Sequence, residues 1–156
     1  MASNFFRPHK QQKSKVFMLE YQRNMLEKHC EFLKYKIEKN VLICTGFIES
    51  NDYKNKYKIE IRCVSGFAPS CKILEPTNIK PSTKIHMYDD YTLCLFYPPD
   101  LKFNSRTPIF KFTIPWLLEW IHFYELYLIN GNIWEGKESP SHMTDDDKNI
   151  TQDFEL

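Results

Sequence analysis

The period of hydrophobic and polar positions changes several times along the chain, and each change marks an element. In residues 14–37, SKVFMLEYQRNMLEKHCEFLKYKI, the positions Met18, Tyr21, Met25, Cys30, Leu33 and Ile37 recur at near-helical spacing. Lysines and glutamates fill the other face, and Ser14 stands where an N-cap belongs. A helix is predicted over this stretch. NVLICTGFIES then reads as a strand near Val41–Glu49, rich in β-branched residues. After a polar turn, YKIEIRCV alternates strictly, with Tyr57, Ile59, Ile61 and Cys63 on one face, as in a half-buried antiparallel strand. CKILEPT supplies a third strand ended by Pro76. The predicted order is a helix followed by a three-strand meander.

Residues 84–100, KIHMYDDYTLCLFYPPD, form a long connection with one apolar burst, and residues 98–110 read as proline-rich and irregular. PWLLEWIHFYELYLI, residues 115–129, is predicted as a second helix with Pro115 in its first turn and Asn130-Gly131 as its stop. It is apolar almost all round, with Glu119, His122 and Glu125 as one narrow polar stripe. Such a helix is buried on most sides or meets a partner. Trp116, Trp120, Tyr124 and Tyr127 lie at spacings that suit either role. The expected class is α+β, in a single domain over residues 1–143. Residues 1–13 are expected to be flexible, and the acidic tail 144–156 disordered.

Composition narrows the function classes. A chain of 156 residues supports one real core. A net charge of +1 gives no global field for nucleic acid or anionic membranes, and the lysines are dispersed. Four glycines leave no Gly-rich phosphate loop, and no cofactor is expected. Neither a secretory signal nor a membrane span is read, so the cytoplasm is the expected compartment. The five cysteines are odd in number and contain no CxxC pair, which fits free thiols rather than disulfides or zinc.

Cys94 carries two readings on its own residues. Flanked by Leu93 and Leu95, it fits a packed core cysteine. Placed between the polar turn YDDYT and the break FYPPD, it also fits a thiol on an exposed ledge. The carboxylates of Asp89, Asp90 and Asp100 oppose a thiolate but suit orienting an incoming amine. Their alternative is turn chemistry. His86 reads as a structural residue that shapes the loop, or as an assisting base.

The helix, the meander, the strand segment FAPSCKILEP and the pair His86…Leu93-Cys94-Leu95 together resemble the ubiquitin-conjugating enzyme fold. That fold has an N-terminal helix, an antiparallel meander sheet, a catalytic loop and here an aromatic C-terminal helix. Where the family usually has His-Pro-Asn, this chain has His86-Met87-Tyr88, so the asparagine that supports the transition state is missing. HMYDDYTLCLFYP followed by PWLLEWIHFYELYLINGNIWEGKESPSH is similar to the bacterial ubiquitin-conjugating-like proteins of antiphage operons. The nearest resemblance is to the stand-alone conjugating protein of short type II CBASS operons, the cyclic-oligonucleotide-based antiphage system. It rests on Trp116, Glu119, Trp120, Tyr124, Glu125, Trp134, Gly136 and His142 beside the cysteine motif.

The resemblance implies that Cys94 carries the C-terminus of a cGAS-like nucleotidyltransferase (CD-NTase) as a thioester. Transfer to a target amine would then prime cyclic-nucleotide signalling. Under this reading His86 shapes the loop, Asp89, Asp90 and Asp100 orient the amine, and Trp116, Glu119 and Trp120 are candidates to face the partner. The alternative is a catalytically inert module of the same fold that scaffolds the nucleotidyltransferase.

Overall fold

The computed structural model describes residues 8–95, 103–104 and 106–136, with side chains from residue 15 onward. The expected acidic tail, Asp100 and His142 lie outside these residues.

Helix α1 spans Pro8–His29. It begins six residues before Ser14, with proline in the first position, where the missing N–H has no intrahelical partner to lose. Its buried positions are Leu19, Gln22 and Leu26, with Cys30 just past its end. This stripe sits beside the one expected: Met18 and Met25 are half-buried and Tyr21 is exposed.

The helix also stops earlier than expected. Leu33–Glu38 is a strand, β1, and not the last turns of α1. Leu33 and Ile37 satisfy both a helical and an alternating period, but Tyr35 between them completes the alternation. Lys39 and Asn40 have φ of 50° and 61°, and Glu38 pairs with Val41. That is a two-residue hairpin whose twist matches the strands on either side.

Strands β2 (Val41–Glu49), β3 (Lys56–Val64) and β4 (Ser70–Glu75) follow. They form one antiparallel sheet in the order β1-β2-β3-β4, a four-strand meander where three strands were expected. Tyr57, Ile59, Ile61 and Cys63 of β3 are buried, as the alternation required.

Helix α2 spans Ile109–Ile129. The expected start at Pro115 is corrected by six residues, because Pro115 stands inside the helix. The bond it forfeits is to the carbonyl of Lys111, and both residues lie on the exposed side, where water can serve that carbonyl. Gln22 secures the early start. Its Nε2 donates to the Thr107 carbonyl at 2.8 Å, and its Oε1 accepts from the Ile109 N–H at 3.1 Å. Pro108, at the N-cap, offers no side-chain cap, so α1 supplies one.

The core is one cluster shared by both helices and the sheet, including Leu19, Leu26, Leu42, Ile59, Ile61, Leu117 and Ile121. Each such aliphatic side chain stabilises the fold by about 2 kcal/mol on full burial. The polar stripe of α2 divides in two. Glu119 is exposed and His122 pairs with Asp52 at 2.8 Å. Glu125 is buried, and accepts from the Tyr57 hydroxyl at 2.9 Å and from Asn55 Nδ2 at 3.0 Å. No described helix is long and apolar enough to cross a membrane.

Candidate active site around Cys94

The segment between β4 and Cys94 is built from the backbone outward. Ser82 caps a 3-10 helix, Thr83–Ile85, through its side chain on the Lys84 N–H. His86 ends that helix in the left-handed region, φ 54° and ψ 46°. The chain then forms a small hairpin. Cys94 N–H donates to the His86 carbonyl at 2.8 Å, Met87 bridges Leu93, and Tyr88 N–H donates to the Thr92 carbonyl at 2.9 Å.

Its tip is Asp89-Asp90-Tyr91. Tyr91 N–H returns to the Tyr88 carbonyl and Tyr91 takes φ 68°, a tight turn closed by a left-handed residue. Leu93 N–H donates to the Cys71 carbonyl at 2.9 Å, so the hairpin extends the sheet at the edge of β4.

Alternation along this hairpin sorts the side chains. Met87 and Leu93 are buried and anchor it. Tyr88 and Thr92, on the opposite side, are exposed and half-buried, and Cys94 is half-buried. Among the five cysteines, Cys94 alone escapes burial. Burial pushes the thiols of Cys44 and Cys63 up to about 12 and about 11, and raises Cys30 and Cys71 as well. Those four are packed residues.

The His86 backbone closes the 3-10 helix and accepts from the Cys94 N–H. Its ring is buried against the indole of Trp134, with centroids 5.1 Å apart. Trp134 in turn packs on Trp120 and Phe123. Trp120 is 3 % exposed, and its Nε1–H donates to the Ile85 carbonyl at 2.7 Å. The expected partner-facing role of Trp120 is therefore corrected: its indole is spent inside, tying α2 to the cysteine loop. Trp116 is half-buried against Phe112, and Glu119 is exposed, so these two keep surface to offer.

Asp90 Oδ1 accepts from both the amide and the hydroxyl of Thr92, at 2.9 and 2.6 Å. Those bonds hold its carboxyl below the usual carboxylate range, with a smaller pull from Lys72. Asp90 Oδ1 is thus committed to the hairpin tip. Asp89 is exposed at the same tip.

One site residue escaped the sequence. Tyr88 is the diagonal neighbour of Cys94 across the hairpin, and interaction with the Cys94 side chain, with burial and the nearby Asp90, pushes its phenol up to about 12. The only signal in the sequence was that Tyr88 stands where the resembled family carries its asparagine. Among the described residues no group of three His, Cys, Asp or Glu is placed to hold a metal ion.

Residues 22–142 match the family described as type II CBASS E2 protein. The chain belongs to that family. The match covers α1 from Gln22, the sheet, the cysteine hairpin and α2. No curated protein matches the chain. As a CBASS E2-like protein, this chain has its cysteine hairpin and its aromatic helix in one construction: Trp120 and Trp134 support the loop that begins at His86.

Proposed function

We propose that Cys94 is the acyl carrier of a ubiquitin-conjugating-like transferase. It accepts the C-terminus of a CD-NTase as a thioester and passes it to a target amine, priming cyclic-nucleotide signalling. The observation that supports this reading most is the exposure pattern. In a CBASS E2-like chain, four cysteines are buried and inert, while Cys94 sits half-buried on a hairpin held from both sides. Trp116, Glu119 and Asp89 are candidates to meet the partner or the amine, since they retain exposed surface.

Co-expression with the operon's nucleotidyltransferase tests the proposal on non-reducing gels and by intact mass. A reductant-sensitive adduct is expected in the wild type. It vanishes in Cys94→Ala and becomes reductant-stable in Cys94→Ser. Absence of any adduct in the wild type sinks the proposal and leaves the inert scaffolding module. That second reading draws its support from the missing asparagine in His86-Met87-Tyr88.

A further inference from the structure

The hairpin register decides which side chains meet at the sulfur. Cys94 is paired with His86 and Thr92 with Tyr88, so Tyr88 and Cys94 are diagonal neighbours on one side of the hairpin. Diagonal neighbours across an antiparallel pair are within reach of a long aromatic side chain. The phenol responds to that neighbour, since interaction with the Cys94 side chain is the largest cause that raises it. Tyr88 is 49 % exposed and Cys94 half-buried, so the pair opens to solvent rather than into the core. The neighbouring polar groups point to other duties. Asp90 Oδ1 is held by Thr92, and the His86 ring lies against Trp134.

From this juxtaposition we infer that Tyr88 is a catalytic residue, the donor that stabilises the oxyanion when the Cys94 thioester is attacked. The inference rests on the acyl-carrier reading of Cys94. In a thioester the carbonyl oxygen is two bonds from the sulfur, so the hydroxyl of a long side chain at the diagonal position has that oxygen within its range.

In the transfer step, the amine lone pair forms the new bond to the acyl carbon, and the carbonyl electron pair moves to oxygen. Tyr88 O–H donates to that oxygen, whose charge exists only in the intermediate and its flanking transition states. The pair then returns, the carbon–sulfur bond breaks, and its electrons leave with the sulfur. The proton lost by the amine restores the Cys94 thiol. Tyr88 keeps its own proton throughout.

The test uses the full chain loaded on Cys94 by exchange with a glycine-terminated peptide thioester, then purified and discharged with free lysine. Tyr88→Phe keeps the ring and removes only the hydroxyl. It is expected to load to the same extent and melt at the same temperature, yet discharge about 10- to 100-fold more slowly. Tyr88→Asn, which restores a donor, is expected to recover part of that rate. A merely structural tyrosine would show the opposite pattern, with Phe closer to wild type than Asn. If Tyr88→Phe loads and discharges at the wild-type rate, the role of Tyr88 is overturned while Cys94 stands. Failure of the wild type to form any thiol-sensitive adduct overturns both.

Discussion

Gln22 does with one amide what a helix cap and a turn would otherwise need two residues for. Its carbonyl oxygen caps the Ile109 N–H and its amino group serves the Thr107 carbonyl, all in a buried position. Removing it strands both backbone groups away from water. Gln22→Ala is expected to cost about 1–3 kcal/mol, read from the midpoint of urea unfolding. Gln22→Met separates hydrogen bonding from volume, because it fills the space without the bonds. An equal loss in both variants is the expected outcome, and a near-neutral Met variant would show that packing mattered instead.

Nothing in the local pattern announced this residue, since a glutamine at a helical core position reads as a surface residue. Tyr88 was hidden for a related reason. It meets Cys94 only through the pairing of residue 86 with 94, and such a register is a property of the closed hairpin rather than of either segment. Cys94 and His86 were legible because their spacing and neighbours form a motif.

At the scale of elements, strands with a strict alternation or a β-branched apolar run were the readable ones. β3 lies where the period-two pattern put it, and β2 where the apolar, β-branched run put it. β1 was lost to α1 because Leu33 and Ile37 fit both periods, and the two left-handed residues Lys39 and Asn40 carry no glycine to mark the turn. Gly46 gives independent support for β1. A Cβ there would stand 2.7 Å from the Phe32 carbonyl oxygen, so the close approach of β1 to β2 needs a glycine. The start of α2 was missed because Pro115 looked like a first-turn residue, when the cap came from another helix.

The segment after α2 makes a prediction of the same kind. A Cβ on Gly136 would stand 2.7 Å from Trp134 Nε1 and 3.0 Å from the Phe123 ring. Trp134 cannot swing away freely, because it packs on Trp120, Phe123 and His86. Gly136→Ala is therefore expected to destabilise the fold by about 1–3 kcal/mol. The displaced indole presses on the His86 loop, so thioester loading of Cys94 is also expected to fall. Thermal melting and the intact-mass loading assay check the two effects separately. Loading at the wild-type level in a destabilised variant would mean that the indole stack does not position the cysteine.

Across the whole molecule, the sheet carries a row of thiols that makes stability depend on alkaline pH. Cys44 pairs with Ile61, and Ile61 with Cys71, while Cys63 sits two residues further along β3. Burial is the main cause that raises all three thiols; Cys63 also raises Cys44, and both of these raise Cys71. A raised thiol stays protonated in the folded chain after the unfolded chain has ionised. Its contribution is thus complete below the ordinary value of 9.0 and is lost as pH rises toward the folded values, about 11 for Cys63 and about 12 for Cys44. Each thiol then removes up to about 1.4 kcal/mol per pH unit.

The clean window lies between 9 and 10, because the raised phenols of Tyr35, Tyr57 and Tyr124, ordinarily at 10.0, add their own slope above it. Urea midpoints measured in reductant across that window are expected to fall steeply in the wild type. Cys44→Ala starts lower, because it leaves a small cavity, but its stability should fall less steeply with pH. The slope, unlike the starting value, is insensitive to the cavity. Parallel slopes in the two proteins would show that Cys44 ionises as readily folded as unfolded, and would remove it as a source of alkaline sensitivity.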